Sequence, residues 1–272
     1  MRGQECDTFA ATSEVLAPLS RRSGGVIEES LMRLVSWNIW GGSRRGIGRA
    51  VSSLEADIAI LLDCRTNNLH RVLSEARASG YRHHLARVAR GQAVVAVSRE
   101  PIREGAIAGA AAAERWLHVV YEPTGLEIGA IYSPLPGKMD GHLTMQQFWD
   151  WVEGASVPML ERPALLCGDF NTGDPTLDSG NNYRFTASHS FRSLLGQGWL
   201  DAFRQLHGED RSYSWWRGSA GFRIDHCLLS PLVPHATGVQ YVESLGEVRY
   251  GISPTQPDRT ALSDHAALVV DL

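Results

Sequence analysis

From residue 31 onward, two kinds of hydrophobic pattern interleave along this chain. LMRLVSWNIW (31–40), DIAILLD (57–63), QAVVAVSR (92–99), RWLHVVYE (115–122), LEIGAIYSP (126–134), RPALLCGDFN (162–171) and ALVVDL (267–272) are short and apolar, the pattern of buried strands. Residues 44–55, 67–79 and 141–160 instead repeat at helical spacing, as does SFRSLLGQGWLDAFRQLH (190–207), which Gly196 and Gly198 interrupt. Asn67 or Asn68 stands where the second of these helices needs a cap. RSYSWW (211–216) and FRIDHCLLS (222–230) read as a hairpin. Strands and helices alternate, but many strands are joined by short turns. That predicts a layered α/β (α+β) fold with mixed sheets rather than a purely parallel one.

The strands share an oddity at their ends. Apolar runs stop on, or carry, side chains able to do chemistry: Asn38, Asp63, Tyr132, Asp169 with Asn171, and Asp225. Asp264 and His265 stand just before the last strand. A single polar strand end is ordinary solvation. Several that converge on one sheet edge would gather carboxylates around one histidine, and like charges that close call for a cation. Oxygen ligands favour Mg²⁺ or Mn²⁺ over zinc. Such a site suits hydrolysis of a phosphate ester.

Composition narrows the setting. The 272 residues carry a net charge of −4, which does not indicate a globally basic nucleic-acid binder. Lys138 is the single lysine, and arginines cluster at 44, 45 and 49 and again at 82, 87 and 90. Arg44 and Arg45, in the loop after Asn38, read equally as phosphate contacts or as solvated charges. No apolar run reaches the roughly 20 residues of a membrane span. Residues 1–30 read as a flexible extension without the compact apolar core of a signal peptide. The four cysteines show no CxxC spacing, which points to a reducing, cytoplasmic setting. Cys64, Cys167 and Cys227 each neighbour a strand-end acid and are expected to pack in the core on the opposite face from it.

The ordered set SWNIWG, LLDCR, IYSP, GDFN, RIDHCLLS and SDHAAL resembles the endonuclease/exonuclease/phosphatase superfamily, the DNase I-like fold. The resemblance covers about residues 31–272 as one domain. It is closest to the exonuclease III and abasic-site endonuclease branch, whose GW-D-FR helix and SWW…RID hairpin have counterparts at residues 198–204 and 214–225. It implies a four-layer sandwich: two mixed, mostly antiparallel sheets face to face, with helices outside. It also implies a monomeric, Mg²⁺- or Mn²⁺-dependent phosphodiesterase, a nuclease acting on DNA. Position by position, Asn38, Asp63 and Asp264 would serve the metal, and Tyr132 would contact phosphate. Asp169 would activate water with Asn171 beside it, and Asp225 would orient His265 toward the scissile phosphate. Trp215, Trp216 and Phe222 match positions that line an apolar pocket for a base-free sugar, although tryptophans of a hairpin also pack as its core.

The chain departs from the family in places. Leu61-Leu62-Asp63 stands where relatives read Leu-Gln-Glu, so the acid is one methylene shorter and a bracing amide is missing. Trp40 replaces an Asp common in exonuclease III relatives. Residues 172–190 and the loop RGSAG (217–221) are abbreviated. Two alternatives follow: a phosphatase or phosphodiesterase acting on a small, lipid or tyrosyl-DNA phosphate, and a degenerate member that binds without cutting.

Overall fold

The computed structural model describes residues 32–109, 115–137, 143–181, 183–254 and 260–272. The expected extension at residues 1–30, with Cys6, and Lys138 lie outside the described residues. The chain forms sixteen strands among these residues: β1 (Arg33–Gly41), β2 (Ile58–Arg65), β3 (His83–Ala89), β4 (Gln92–Ser98), β5 (Ile102–Glu104), β6 (Trp116–Tyr121), β7 (Leu126–Tyr132), β8 (Ala164–Asp169), β9 (Leu200–Asp201), β10 (Trp215–Arg217), β11 (Ala220–Phe222), β12 (Asp225–Leu229), β13 (Gly238–Val242), β14 (Ser244–Leu245), β15 (Val248–Arg249) and β16 (Ala267–Asp271). Two six-stranded sheets hold most of them, in the orders β13-β16-β1-β2-β4-β3 and β5-β6-β7-β8-β12-β9. The pairs β1–β2 and β7–β8 are parallel and the other pairings antiparallel, so both sheets are mixed.

Period-two alternation explains the layering. On β2, Ile58, Ile60 and Leu62 enter a core shared with Leu165, Cys167, Ile128 and Leu229 of the second sheet, so this core fills the space between the sheets. Ala59 and Leu61 point the other way, onto α1 (Ile47–Ser53) and α2 (Thr66–Ala78). On β8, Ala164 and Leu166 likewise turn outward onto α3 (Met145–Ser156) and α4 (Ser188–Gln197). The result is the four-layer sandwich. No helix among the described residues is long and apolar enough to cross a membrane.

Several local expectations shift. α2 begins after Arg65 without a side-chain cap, because Asn68 donates instead to the Gly41 carbonyl (2.9 Å). α3 is shorter than the apolar pattern over 141–160. It starts at a capping box formed by Thr144 and Gln147, and Pro158 directs the chain into a 3₁₀ turn, Val157–Glu161. The broken helix ends at Gly198 (φ 112°), and its continuation, α5 (Ala202–His207), is capped by Asp201. The hairpin is β10–β11 alone. After Phe222 the chain crosses to pair β12 with β8. Among the arginines over 82–90, Arg87 pairs with Glu104, which favours a solvated sheet edge for that residue.

Candidate active site

Register brings the strand-end residues of the second sheet into line. Tyr132 lies opposite Asp169 across the parallel β7–β8 pair, and Asp169 lies opposite Asp225 across the antiparallel β8–β12 pair. Gly168 permits the close approach of β8 to β7. A Cβ there would meet the Ile131 carbonyl oxygen at 1.9 Å, and its φ is 146°. Counting by twos also puts Cys167 with Asp169 and Cys227 with Asp225. Cys167 and Cys227 face each other in the inter-sheet core on the same face as these acids, contrary to the opposite-face expectation. Burial pushes the thiols of Cys64 and Cys167 up to about 12, so they are inert packing groups.

The first sheet supplies Asn38 and Asp63 by means of bulges. Between Leu61 and Cys64, β2 advances three residues while β4 advances two. Asp63 occupies the extra position with a left-handed backbone (φ 52°), so the bulge, rather than plain alternation, aims its side chain. Asp is among the residues that tolerate this backbone region. Asp63 Oδ2 accepts from the Gly41 amide (3.1 Å) and Oδ1 from the Gln92 side chain (2.8 Å). Gln92 of β4 thus supplies a bracing amide to Asp63 where Leu62, packed in the inter-sheet core, cannot. Burial raises the Asp63 carboxyl, and the Tyr132 hydroxyl and the Gly41 amide counter that rise. Asn38 Nδ2 donates to Asp169 Oδ2 (3.0 Å), and its Oδ1 accepts from the Trp40 amide (3.0 Å), joining the two sheets across the site.

His265 arrives on the loop before β16. Its Nδ1 meets Asp225 Oδ2 at 2.8 Å, and its backbone is held by Ser263 and by the Trp37 indole. Burial alone would depress this imidazole, yet Asp225, Asp169 and Asp264 together lift it to about 10, which favours the protonated ring. Burial and the neighbouring Asp225 raise Asp169 to about 7, against the pull of His265, Asn38 and the Asn171 amide. Asn171, with φ 49°, donates its amide to Asp169 Oδ1 (3.0 Å) and its side chain to the Ser133 carbonyl (2.9 Å).

The metal-capable atoms of Asp169, Asp225 and His265 lie within 4.8 Å of one another. Asp225 Oδ1 is buried without a hydrogen-bond partner, leaving one carboxylate oxygen able to accept a ligand. Asp63 and Asp264 line the same cavity but are not members of that tight group. Asp264 Oδ2 accepts from Trp215 Nε1 (3.0 Å). The donors lining the cavity are mainly oxygens, which fits a hard divalent cation.

The cavity encloses about 440 Å³ and is lined by the acids together with Trp215, Phe222 and Ile224. Trp216 instead packs edge-on against Tyr213 (5.2 Å), so one tryptophan of the pair faces the site and the other serves the hairpin. Arg44 stands over the Trp40 ring (5.9 Å), and Arg45 is an exposed loop residue; neither lines the cavity. The sequence reading passed over Arg115, which is buried with its guanidinium 4.1 Å from the Tyr132 ring centroid. A charge at the entry to the apolar run WLHVVY was the available signal. Gln92 and the loop aromatics Tyr183 and Phe185 were also missed, because only the tertiary fold brings them to the site.

The description "Endonuclease/Exonuclease/phosphatase family" matches residues 35–265. An exodeoxyribonuclease of Streptococcus pneumoniae is 32% identical over 119 residues, which make up 37% of this chain and 43% of that enzyme. The chain therefore spans less than half the length of that curated relative. Among solved structures, an AP endonuclease from Archaeoglobus fulgidus superposes with a TM-score of 0.72 at 15% identity, covering 88% of this chain and 98% of the other. The 3′ phosphatase NExo from Neisseria, bound to a product DNA hairpin, superposes with a TM-score of 0.67 at 20% identity and the same coverage. At these identities the structural likeness shows the fold.

Proposed function

Because the chain belongs to the endonuclease/exonuclease/phosphatase family, we propose that it hydrolyses phosphodiester bonds with Mg²⁺ or Mn²⁺, and that its substrate is DNA. The observation that carries this reading is that Asp169 stands beside the hydrogen-bonded Asp225–His265 pair in one cavity, their ligand atoms all within 4.8 Å of one another.

Asp169 removes a proton from the attacking water, whose oxygen bonds to phosphorus as the P–O ester bond breaks. The Asn171 backbone and the Asn38 side chain hold the two oxygens of Asp169 and fix its direction. Asp225 accepts from His265 Nδ1, which leaves Nε2–H to donate to the negative charge that grows on the phosphoryl oxygen. Asp63, Asn38 and Asp264 would hold the cation, which supplies Lewis-acid polarisation of the phosphate. The Tyr132 hydroxyl, beside Asp63 and Arg115, remains protonated because burial and Asp63 push its ionisation upward, and it donates to phosphate.

The test is incubation of the full chain with Mg²⁺ or Mn²⁺ against abasic duplex, plain duplex, single-stranded DNA and a generic phosphodiester. DNA is cleaved, and Asp169→Ala and His265→Ala each lower the rate by about 10²–10⁴-fold. Activity unaffected by both substitutions, or confined to small esters, would overturn the proposal.

A further inference from the structure

Three cores fill the layers of the sandwich, but a fourth apolar cluster belongs to none of them. Phe185, Phe222 and Ile224 form it, with Trp215 packed against them, and its members line the same cavity as Asp169 and His265. Tyr183 meets Phe222 edge-on at 5.6 Å and 90°, and Phe185 at 5.7 Å and 80°, and is itself 43% exposed. At the cavity margin stand Trp40, 46% exposed, and Leu135, 45% exposed. Eight large hydrophobic side chains are exposed among the described residues, and these three all border one cavity. Scattered exposed hydrophobics need no explanation, but a collar around a polar cavity marks a surface completed by a ligand.

The chemistry of the collar narrows that ligand. Aromatic faces at a phosphate-cleaving site match a group that is flat, π-bearing and tethered to a phosphodiester. A base-free sugar offers no such face, and a paired base is already stacked in its helix. Cations stand beside the aromatics to meet the flanking phosphates: Arg217 lines the cavity and Arg44 lies over Trp40. We propose that the Trp40–Leu135–Tyr183 collar stacks an unpaired nucleobase of the strand being cut, so that single-stranded or frayed DNA is held in preference to duplex or base-free positions. This rests on the nuclease reading. Sequence-tolerant stacking of this kind is the usual means of holding single strands.

Equilibrium binding in EDTA tests the collar apart from catalysis. The probes are fluorescently labelled oligothymidylate, its base-free counterpart of equal length, and the same thymidylate paired with its complement. Oligothymidylate is expected to bind roughly tenfold or more tightly than either of the others. Tyr183→Ala and Trp40→Ala should each erase most of that ratio, and Tyr183→Phe should keep it. Equal or tighter binding of the base-free strand, or an unchanged ratio in both alanine variants, would overturn the proposal. Cleavage assayed separately in Mg²⁺ distinguishes the two readings. Base-dependent binding without cleavage keeps the collar and sinks the nuclease; cleavage without base-dependent binding does the reverse.

Discussion

Replacing Arg223 with methionine should destabilise this protein more than most single substitutions. The guanidinium is fully buried between β11 and β12 and spans two carboxylates. It donates to Asp178 at 2.7 and 3.1 Å and to Asp201 at 2.6 and 3.1 Å. Asp178 in turn accepts the Asp174 amide (2.8 Å), so Arg223 ties down the loop that follows Asn171. Burial by itself would push both acids up, but Arg223 pulls Asp178 and Asp201 below the ordinary carboxylate range. Methionine fills much of the volume but leaves the two acids without this cation. Breaking a buried pair from one side costs about 3–5 kcal/mol, against a total stability of about 5–15 kcal/mol. At about 2–4 °C per kcal/mol, melting should fall by on the order of 10 °C. Urea denaturation at two pH values is the assay. In the wild type the depressed acids stabilise the fold above their unfolded pKa, and that gain is lost as pH falls through their folded values. In the variant, burial raises Asp201, while Asp178 retains only Arg204, so a penalty holds at neutral pH and fades as the acids protonate. The deficit should therefore be larger at pH 7 than at pH 5. A loss under about 1 kcal/mol, or an equal deficit at both pH values, would refute the reasoning.

Other consequences follow from the same geometry. Gln92→Leu strips an amide from Asp63 and should weaken Mn²⁺ binding about 10–100-fold by calorimetry, with melting little changed. Asp63→Glu should retain cleavage while costing about 1 kcal/mol of stability, because the longer acid must adopt φ 52°; a more stable variant would contradict this. Asp225→Asn should bring His265 down from about 10, read by NMR titration of the ring, and slow cleavage about 10²–10⁴-fold. Burial, reinforced by Arg223, holds His226 down to about 4 from its usual 6.5. Its contribution to stability is complete above pH 6.5 and lost as pH falls from there through 4, about 3 kcal/mol in all. His226→Gln should flatten that part of the stability profile.

Much of the site was legible because strand periodicity is local. Tyr132, Asp169 and Asp225 end or begin apolar runs, and sheet register had only to bring the runs together. The same counting places Cys167 and Cys227 on the acids' face, and the expectation to the contrary ignored it. Asp63 differs in kind. Its run, DIAILLD, gives no sign of the bulge at φ 52° that aims the carboxylate, since a bulge arises from the unequal advance of two paired strands. Gln92 and Arg115 escaped notice because their partners are 29 and 17 residues distant and belong to other strands. Tyr183 and Phe185 sit in a segment that looked merely abbreviated, and nothing in its pattern showed that it folds over the cavity.

The central claim is that water, deprotonated by Asp169, attacks phosphorus. The most direct test is cleavage of single-stranded DNA in ¹⁸O-water under single-turnover conditions, with mass analysis of the products. The account predicts one ¹⁸O atom in the phosphate-bearing fragment and none in the released hydroxyl, with formation of the labelled product slowed about 10²–10⁴-fold by Asp169→Ala. Label in the hydroxyl, unlabelled phosphate, or undiminished labelling in the Asp169→Ala protein would contradict it.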